Sequence, residues 1–287
     1  MTHTELPNNI MRRVKLFPSM SGTAARVLKL LDDPDTSISG IGEILRYDPG
    51  LTANILKLTN SAYFGFPSQI GSVKQAVVLL GSKRVIHLVM ASCVNAIMDE
   101  QVLGYDLPPG ELWRHSIAVS VAAEGLVKKL KIPPAEEIFT AALLHDVGKL
   151  VLGDFVKEEL KEIESIALEG IPFQVAEQKV LGTDHAEIGA EILKRWSFPP
   201  EVVNAVRWHH DPDSADETST LVDIVHVANV LCLMIGIGVG REGLHYEPSP
   251  LATKRLGLKT KQLELVASQT LGWLNELLDV FESDKNS

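Results

Sequence analysis

Histidine and aspartate are the residues of this chain whose types and spacing could do chemistry. Seven of its nine histidines lie between positions 115 and 245. His145 and Asp146 adjoin in AALLHDVGKL, where Ile138, Ala141, Leu144, His145 and Gly148 recur at helical spacing. A helix over this stretch turns the His145 ring toward a core and puts Asp146 about 100° further round. A divalent ion between those two directions could take one imidazole nitrogen and one carboxylate oxygen, and a carboxylate can also bridge two ions. Gly148 leaves room for close approach at that turn. Lys149 is placed to offer a positive charge to an anionic substrate or a bound phosphate, which makes Asp146 and Lys149 the candidate catalytic pair.

An HD dipeptide occurs by chance, and three further segments give it weight: LWRHS with His115, GTDHAEIGAEIL with His185, and RWHHDP with His209 and His210. Glu111 precedes His115 by four residues, which puts both on one helical face and makes Glu111 an additional candidate ligand. His185 opens a helix that Thr183 or Asp184 can cap. His209 and His210 close a helix just before Pro212, where they could instead act as favourable C-terminal charges. Taken singly, each histidine suits a core or capping role better than a metal; taken as a set, metal binding is the better reading. An imidazole-rich set leans toward a transition metal, iron, nickel, zinc or manganese, rather than magnesium.

The elements that must position these residues are helices. Apolar residues recur at spacings of three and four almost throughout and strand-like alternation is nearly absent, which predicts an all-α fold. Ser21 and Thr23 can cap a helix through Leu31, Ser39 one through Tyr47, Ser72 one through Leu80 and Ser82 one through Met98. These short helices predict an N-terminal lobe over 1–105. A turn-rich break at Gly104 to Gly110, with Asp106, Pro108 and Pro109, ends it. Longer helices over about 110–131, 135–152, 173–181, 184–197, 200–209, 218–235 and 260–282 predict a second lobe, a helical bundle over 106–287. Asp211 to Thr220 reads as an acidic solvated loop bordering the histidines.

Composition narrows the function classes. The 287 residues are 45% hydrophobic and 22% charged, as in folded globular proteins. A net charge of −10 and a pI near 5.4 argue against nucleic acid as a partner, a DNA-binding helical regulator included. Cys93 and Cys232 sit in apolar helical patterns, which suits buried thiols in a reducing compartment, and the polar N-terminus has no secretory core; both point to the cytoplasm. The longest apolar stretch, Val230 to Val239, is about half the length of a spanning helix, so no membrane segment is expected. Gly238, Gly240 and Gly243 fit GxGxxG without a preceding strand, so a connector is the better reading than a dinucleotide site. Tyr63, Phe64 and Phe66 read as a packed corner rather than a stacking platform.

The ordered H…HD pattern on helices resembles the HD superfamily. YDPGLTANILKLTNSAYFGFP, IGSVKQAVVLLGSKRV and LLHDVGK, with Trp113, His115, Gly182, His185, Gly189, Trp196, Pro199 and the HH pair, narrow the resemblance to the HDOD family over roughly residues 6 to 212. The resemblance implies an output module of bacterial signalling, often joined to sensory or receiver domains, although no receiver domain is visible in this chain. It implies a divalent metal held by His115, His145, Asp146, His185, His209 and His210. Asn229 stands where the related HD-GYP phosphodiesterases carry a metal-binding aspartate, and a GYP-containing loop is absent. Asp223, six residues earlier, could face the same side. The leading expectation is a module that binds other signalling proteins, or a phosphorylated small molecule or nucleotide. The alternative is a metal-dependent phosphohydrolase of phosphodiesterase type, with bound metal activating water and Lys149 stabilising charge. Sequence sets no oligomeric state.

Overall fold

Amphipathic periodicity becomes helix after helix in the computed structural model, which describes residues 6–19, 22–31, 41, 49–61, 64–133, 137–242 and 246–282. Among these residues there is no strand, only an isolated antiparallel bridge between Val102 and Leu107. The fold is all-α. No helix among them is long and apolar enough to cross a membrane.

The chain divides into two compact units, Met1–Ser19 with Met98–Ser268 and Met20–Ile97 with Gln269–Ser287. The break expected at 104–110 therefore falls inside the first unit. Helix α1 (Leu6–Leu16) buries Leu6, Ile10 and Val14 and belongs with the bundle. The second unit contains α2 (Gly22–Leu31), α3 (Pro49–Thr59), α4 (Val73–Leu80) and nearly all of α5 (Ser82–Met98). Ser72 caps α4 by accepting from the Gln75 N–H, as expected. Asn60 ties the α3–α4 connection: its side chain donates to the Ile70 carbonyl at 2.9 Å and accepts from the Ile70 N–H at 2.6 Å. The helix expected from Ser39 to Tyr47, apart from the buried Ile41, the Ser21 cap and Tyr63 lie outside the described residues.

The bundle runs through α6 (Glu111–Leu130), α7 (Glu137–Leu144), α8 (Lys149–Glu158), α9 (Leu160–Ala167), α10 (Phe173–Leu181), α11 (His185–Arg195), α12 (Pro200–Trp208), α13 (Thr220–Met234), α14 (Pro250–Arg255) and the first turns of α15 (Thr260–Glu282). Helix α13 is buried on every side from Leu221 to Leu233, the mark of a central helix. It packs on α6, α7 and α12, and α11 lies against α12. Helices α8 and α9 extend well past the expected end at 152.

The single helix expected over 135–152 breaks at the HD pair. Helix α7 stops at Leu144, and His145 to Gly148 form a turn in which the Val147 N–H donates to Leu144 O and the Lys149 N–H to Asp146 O, both at 3.0 Å. Such i to i−3 bonds tighten a helix end. Backbone meets backbone at this turn: a Cβ on Gly148 would lie 1.9 Å from the His185 carbonyl oxygen and 2.6 Å from the Gly189 nitrogen. The turn thus presses Asp146 against the start of α11, something helical phase alone does not predict.

Candidate metal centre

Each histidine of the set is delivered by a local device. His115 sits in the first turns of α6. His145 follows the last residue of α7. Helix α11 starts at His185 because Asp184 caps it, its Oδ1 accepting from the Glu187 N–H at 2.7 Å. Helix α12 opens with Pro200 at its first position and ends at Trp208, leaving His209 at the cap and His210 beyond it.

Backbone and carboxylate acceptors then fix the tautomers. The Nδ1 atoms of His145, His209 and His115 face the carbonyl oxygens of Ala142 (2.7 Å), Val206 (2.7 Å) and Ile237 (3.0 Å). A carbonyl only accepts, so each of these rings carries its proton on Nδ1 and turns an Nε2 lone pair inward. His185 places Nδ1 2.8 Å from Glu177 Oε2, which fixes that nitrogen as a proton donor and turns Nε2 inward.

The inward nitrogens surround one carboxylate. Asp146 Oδ2 lies 3.3 Å from His145 Nε2 and 3.6 Å from His115 Nε2; Oδ1 lies 3.5 Å from His185 Nε2 and 3.6 Å from His209 Nε2. His210 joins the second set, its Nε2 2.8 Å from His185 Nε2. Two groups of candidate ligand atoms result, His115 with His145 and Asp146, and Asp146 with His185, His209 and His210. The structure thus brings together His115, His145, Asp146, His185, His209 and His210.

Asn229 and Glu111, the further candidates at this site, fare differently. Asn229 enters, its Oδ1 3.0 Å from His115 Nε2. Glu111 stands outside both ligand groups; its Oε1 accepts from Arg114 at 2.9 Å and from the Gly238 N–H at 3.3 Å. Asp223 does not face the cage. Arg255 grips it with Nε at 2.8 Å and Nη2 at 2.6 Å, so it serves to hold α14 on α13.

Lone pairs aimed at an anion repel it unless a cation lies between, and buried polar atoms normally find partners. Here His145 Nε2, His209 Nε2 and Asp146 Oδ1 have no hydrogen-bond partner. Those residues therefore fit a divalent cation. Protonation tells the same story. Burial, reinforced by neighbouring His145, lowers His115 to about 3, and burial lowers His209 to about 3, so both rings are neutral and able to coordinate. Burial opposes the charge on Asp146, but His145 and Lys149 outweigh it and hold the carboxyl well below its usual range. His185 differs: burial opposes its charge, yet the Glu177 carboxylate carries the ring up to about 9, so a metal would have to displace a proton from it.

Sequence reading missed three residues here, Glu177, the Tyr105 that holds it and Glu242. Glu177 is fully buried; it accepts from the Tyr105 hydroxyl at 2.7 Å, the His185 N–H at 2.9 Å and His185 Nδ1 at 2.8 Å. A carboxylate behind an imidazole orients it and raises its basicity. The available signal was an acid inside the apolar stripe Phe173, Ala176, Val180, Leu181. The third is Glu242, carried by the segment read from sequence as a connector; that segment instead packs on the cage, a Cβ on Gly238 falling 2.4 Å from His115 Cγ. Glu242 forms an ion pair with Lys149, whose ammonium is also 2.7 Å from Asp146 Oδ2.

The HDOD domain profile matches residues 17–212, and the chain belongs to the HDOD domain family. A protein of Treponema pallidum (strain Nichols), described as uncharacterized, is 27% identical over 230 residues, which cover 79% of this chain and 44% of that one; this chain spans less than half of its length. Two solved structures share the fold. An HDOD domain protein with unknown function from Geobacter sulfurreducens has a TM-score of 0.73 at 24% identity, covering 99% of this chain and 95% of the other. A candidate phosphohydrolase from Shewanella amazonensis SB2B has a TM-score of 0.71 at 24% identity, covering 94% and 97%.

Proposed function

We propose that this protein is a bacterial signal-output module that holds divalent transition metal in a histidine–aspartate cage and acts in the cytoplasm by engaging other signalling proteins or a phosphorylated ligand. One observation carries the metal reading: the two oxygens of Asp146 face imidazole lone pairs from opposite sides, with partnerless atoms on both. His115 and His145, with the Asn229 carbonyl beside them, would hold metal at one oxygen; His185, His209 and His210 would hold it at the other. Five imidazoles against one carboxylate favour iron, nickel, zinc or manganese over magnesium. Bound metal would lower the pKa of a coordinated water and polarise a phosphoryl oxygen. The chain's own part is to hold the rings in one tautomer, keep the cage dry and place a cation, Lys149, beside Asp146.

The binding role ranks first because Lys149 is buried and already ion-paired and every residue of the cage except the half-buried His210 is buried, which suits a closed centre whose occupancy sets the rigidity of the bundle. The second reading is hydrolysis of a phosphate ester. It draws on Lys149 lying 2.7 Å from the shared carboxylate, where it could stabilise charge on a phosphoryl group.

Metal analysis of protein purified without added metal, beside a His145→Ala, Asp146→Ala variant, tests the proposal. Metal is expected in the natural protein and not in the variant. Phosphodiesterase and phosphatase assays on the same samples separate the readings, since metal without turnover supports the binding role. Absence of metal from the natural protein after exposure to iron, nickel, zinc and manganese would sink both.

A further inference from the structure

Lys149 is buried between two carboxylates. Asp146 Oδ2 lies 2.7 Å from its ammonium and Glu242 forms an ion pair with it from another side, while the Tyr105 ring centroid lies 5.3 Å away. Burying charge is costly unless it is matched, and the Lys149 ammonium is matched here by two carboxylates. Glu242 is only 5% exposed, and its Oε1 reaches to 4.0 Å from His185 Nε2, at the edge of the cage.

The backbone that carries Glu242 is fixed on both sides of the cage. The Arg241 N–H donates to the Tyr105 carbonyl at 2.9 Å, the Ile237 carbonyl accepts from His115, and the Gly238 N–H donates to Glu111. Gly238 has φ of +72° and leaves no space for a Cβ beside His115, so both its conformation and its contact require glycine. The segment is built to lie there, and it delivers a carboxylate, an oxyanion of the same sign as a phosphoryl group, to the ammonium nearest the cage.

We propose that Glu242 is an internal competitor for phosphoryl oxygens at Lys149: its carboxylate occupies the position that a phosphate or phosphate monoester would take, and such a ligand binds by expelling it. This inference rests on the reading of the bundle as a phosphate-recognising metal centre. The Lys149–Glu242 pair can be examined whether or not metal is bound.

Inorganic phosphate is titrated calorimetrically into the natural protein, Glu242→Gln and Glu242→Gln with Lys149→Met, each in metal-free and metal-loaded form, with metal content measured separately. Glutamine keeps the size and removes the charge. Glu242→Gln is expected to bind phosphate at least tenfold more tightly than the natural protein in both forms, and the added Lys149→Met to abolish that gain. Equal binding by the natural protein and Glu242→Gln, or no binding by either, overturns the proposal, as does a gain that survives Lys149→Met. Failure to take up metal strikes the proposed function alone. A second measurement needs no variant: hydrogen exchange at the Arg241 amide of the natural protein should speed up in phosphate as the segment is displaced. Unchanged or slower exchange at high phosphate overturns the idea even where the variants misfold.

Discussion

The two sides of Asp146 are held in different ways. On the Oδ2 side, His115 and His145 lean on neutral backbone carbonyls, and the residue facing His115 is the neutral Asn229. On the Oδ1 side, His185 leans on a buried carboxylate, Glu177, which is itself fixed by Tyr105. A charged partner makes an imidazole more basic than a carbonyl does, so similar ring sets should grip cations unequally, with the Oδ1 side the tighter. By this comparison, what stands behind each ring would set the strength of a metal centre here as much as the number of ligands does.

Removing the shared carboxylate should erase the contrast altogether. Asp146→Ala alone is expected to bring bound metal to background on both sides, read by elemental analysis; retention of one ion would show that the sides are independent. Gly148→Ala should disturb the approach of the HD turn to α11 and lower stability by about 3 kcal/mol, seen in denaturant unfolding. A midpoint equal to that of the natural protein would contradict the close contact at His185. Glu177→Gln keeps the shape and removes the charge behind His185, so metal affinity on the Oδ1 side should fall by roughly 10- to 100-fold while the Oδ2 side holds. Cobalt spectra or calorimetry can resolve the two, and an equal fall on both sides would count against the comparison. Asn229→Asp should strengthen the weaker side on the order of tenfold, about 1.4 kcal/mol. No change would place that residue outside the ligand set.

Acidity sharpens the same contrast in metal-free protein. His115 and His209 stay neutral down to about 3 when folded, whereas an unfolded histidine takes up a proton near 6.5. Below that value the unfolded chain binds more protons, so stability from these rings is intact above about pH 6.5 and declines toward pH 3, by roughly 1.4 kcal/mol per pH unit for each ring. His185 has the opposite sign. Its folded value of about 9 gives stability that is complete below about 6.5 and lost as the pH rises through 9. Thermal unfolding across this range should therefore weaken at both ends, and Glu177→Gln should remove the alkaline part. A melting temperature flat from acid to neutral would disprove the assignment of His115 and His209.

What the sequence determined by itself was the helical class and the members of the cage. Apolar spacing reports which face of a helix is buried, and types such as histidine and aspartate inside a buried face announce chemistry. Periodicity does not report what a buried face lies against. The division of Asp146 between two ring sets follows from a turn compressed against α11, which the 3.6-residue phase of an uninterrupted helix conceals. Asp223, plausible as a ligand by phase, was taken by Arg255 from another helix. Glu177 and Glu242 became visible only when residues 8 and 93 positions distant, His185 and Lys149, were brought beside them. Tertiary structure decided those pairings because a charge is buried where a partner meets it, and the partner's position depends on how the intervening helices pack.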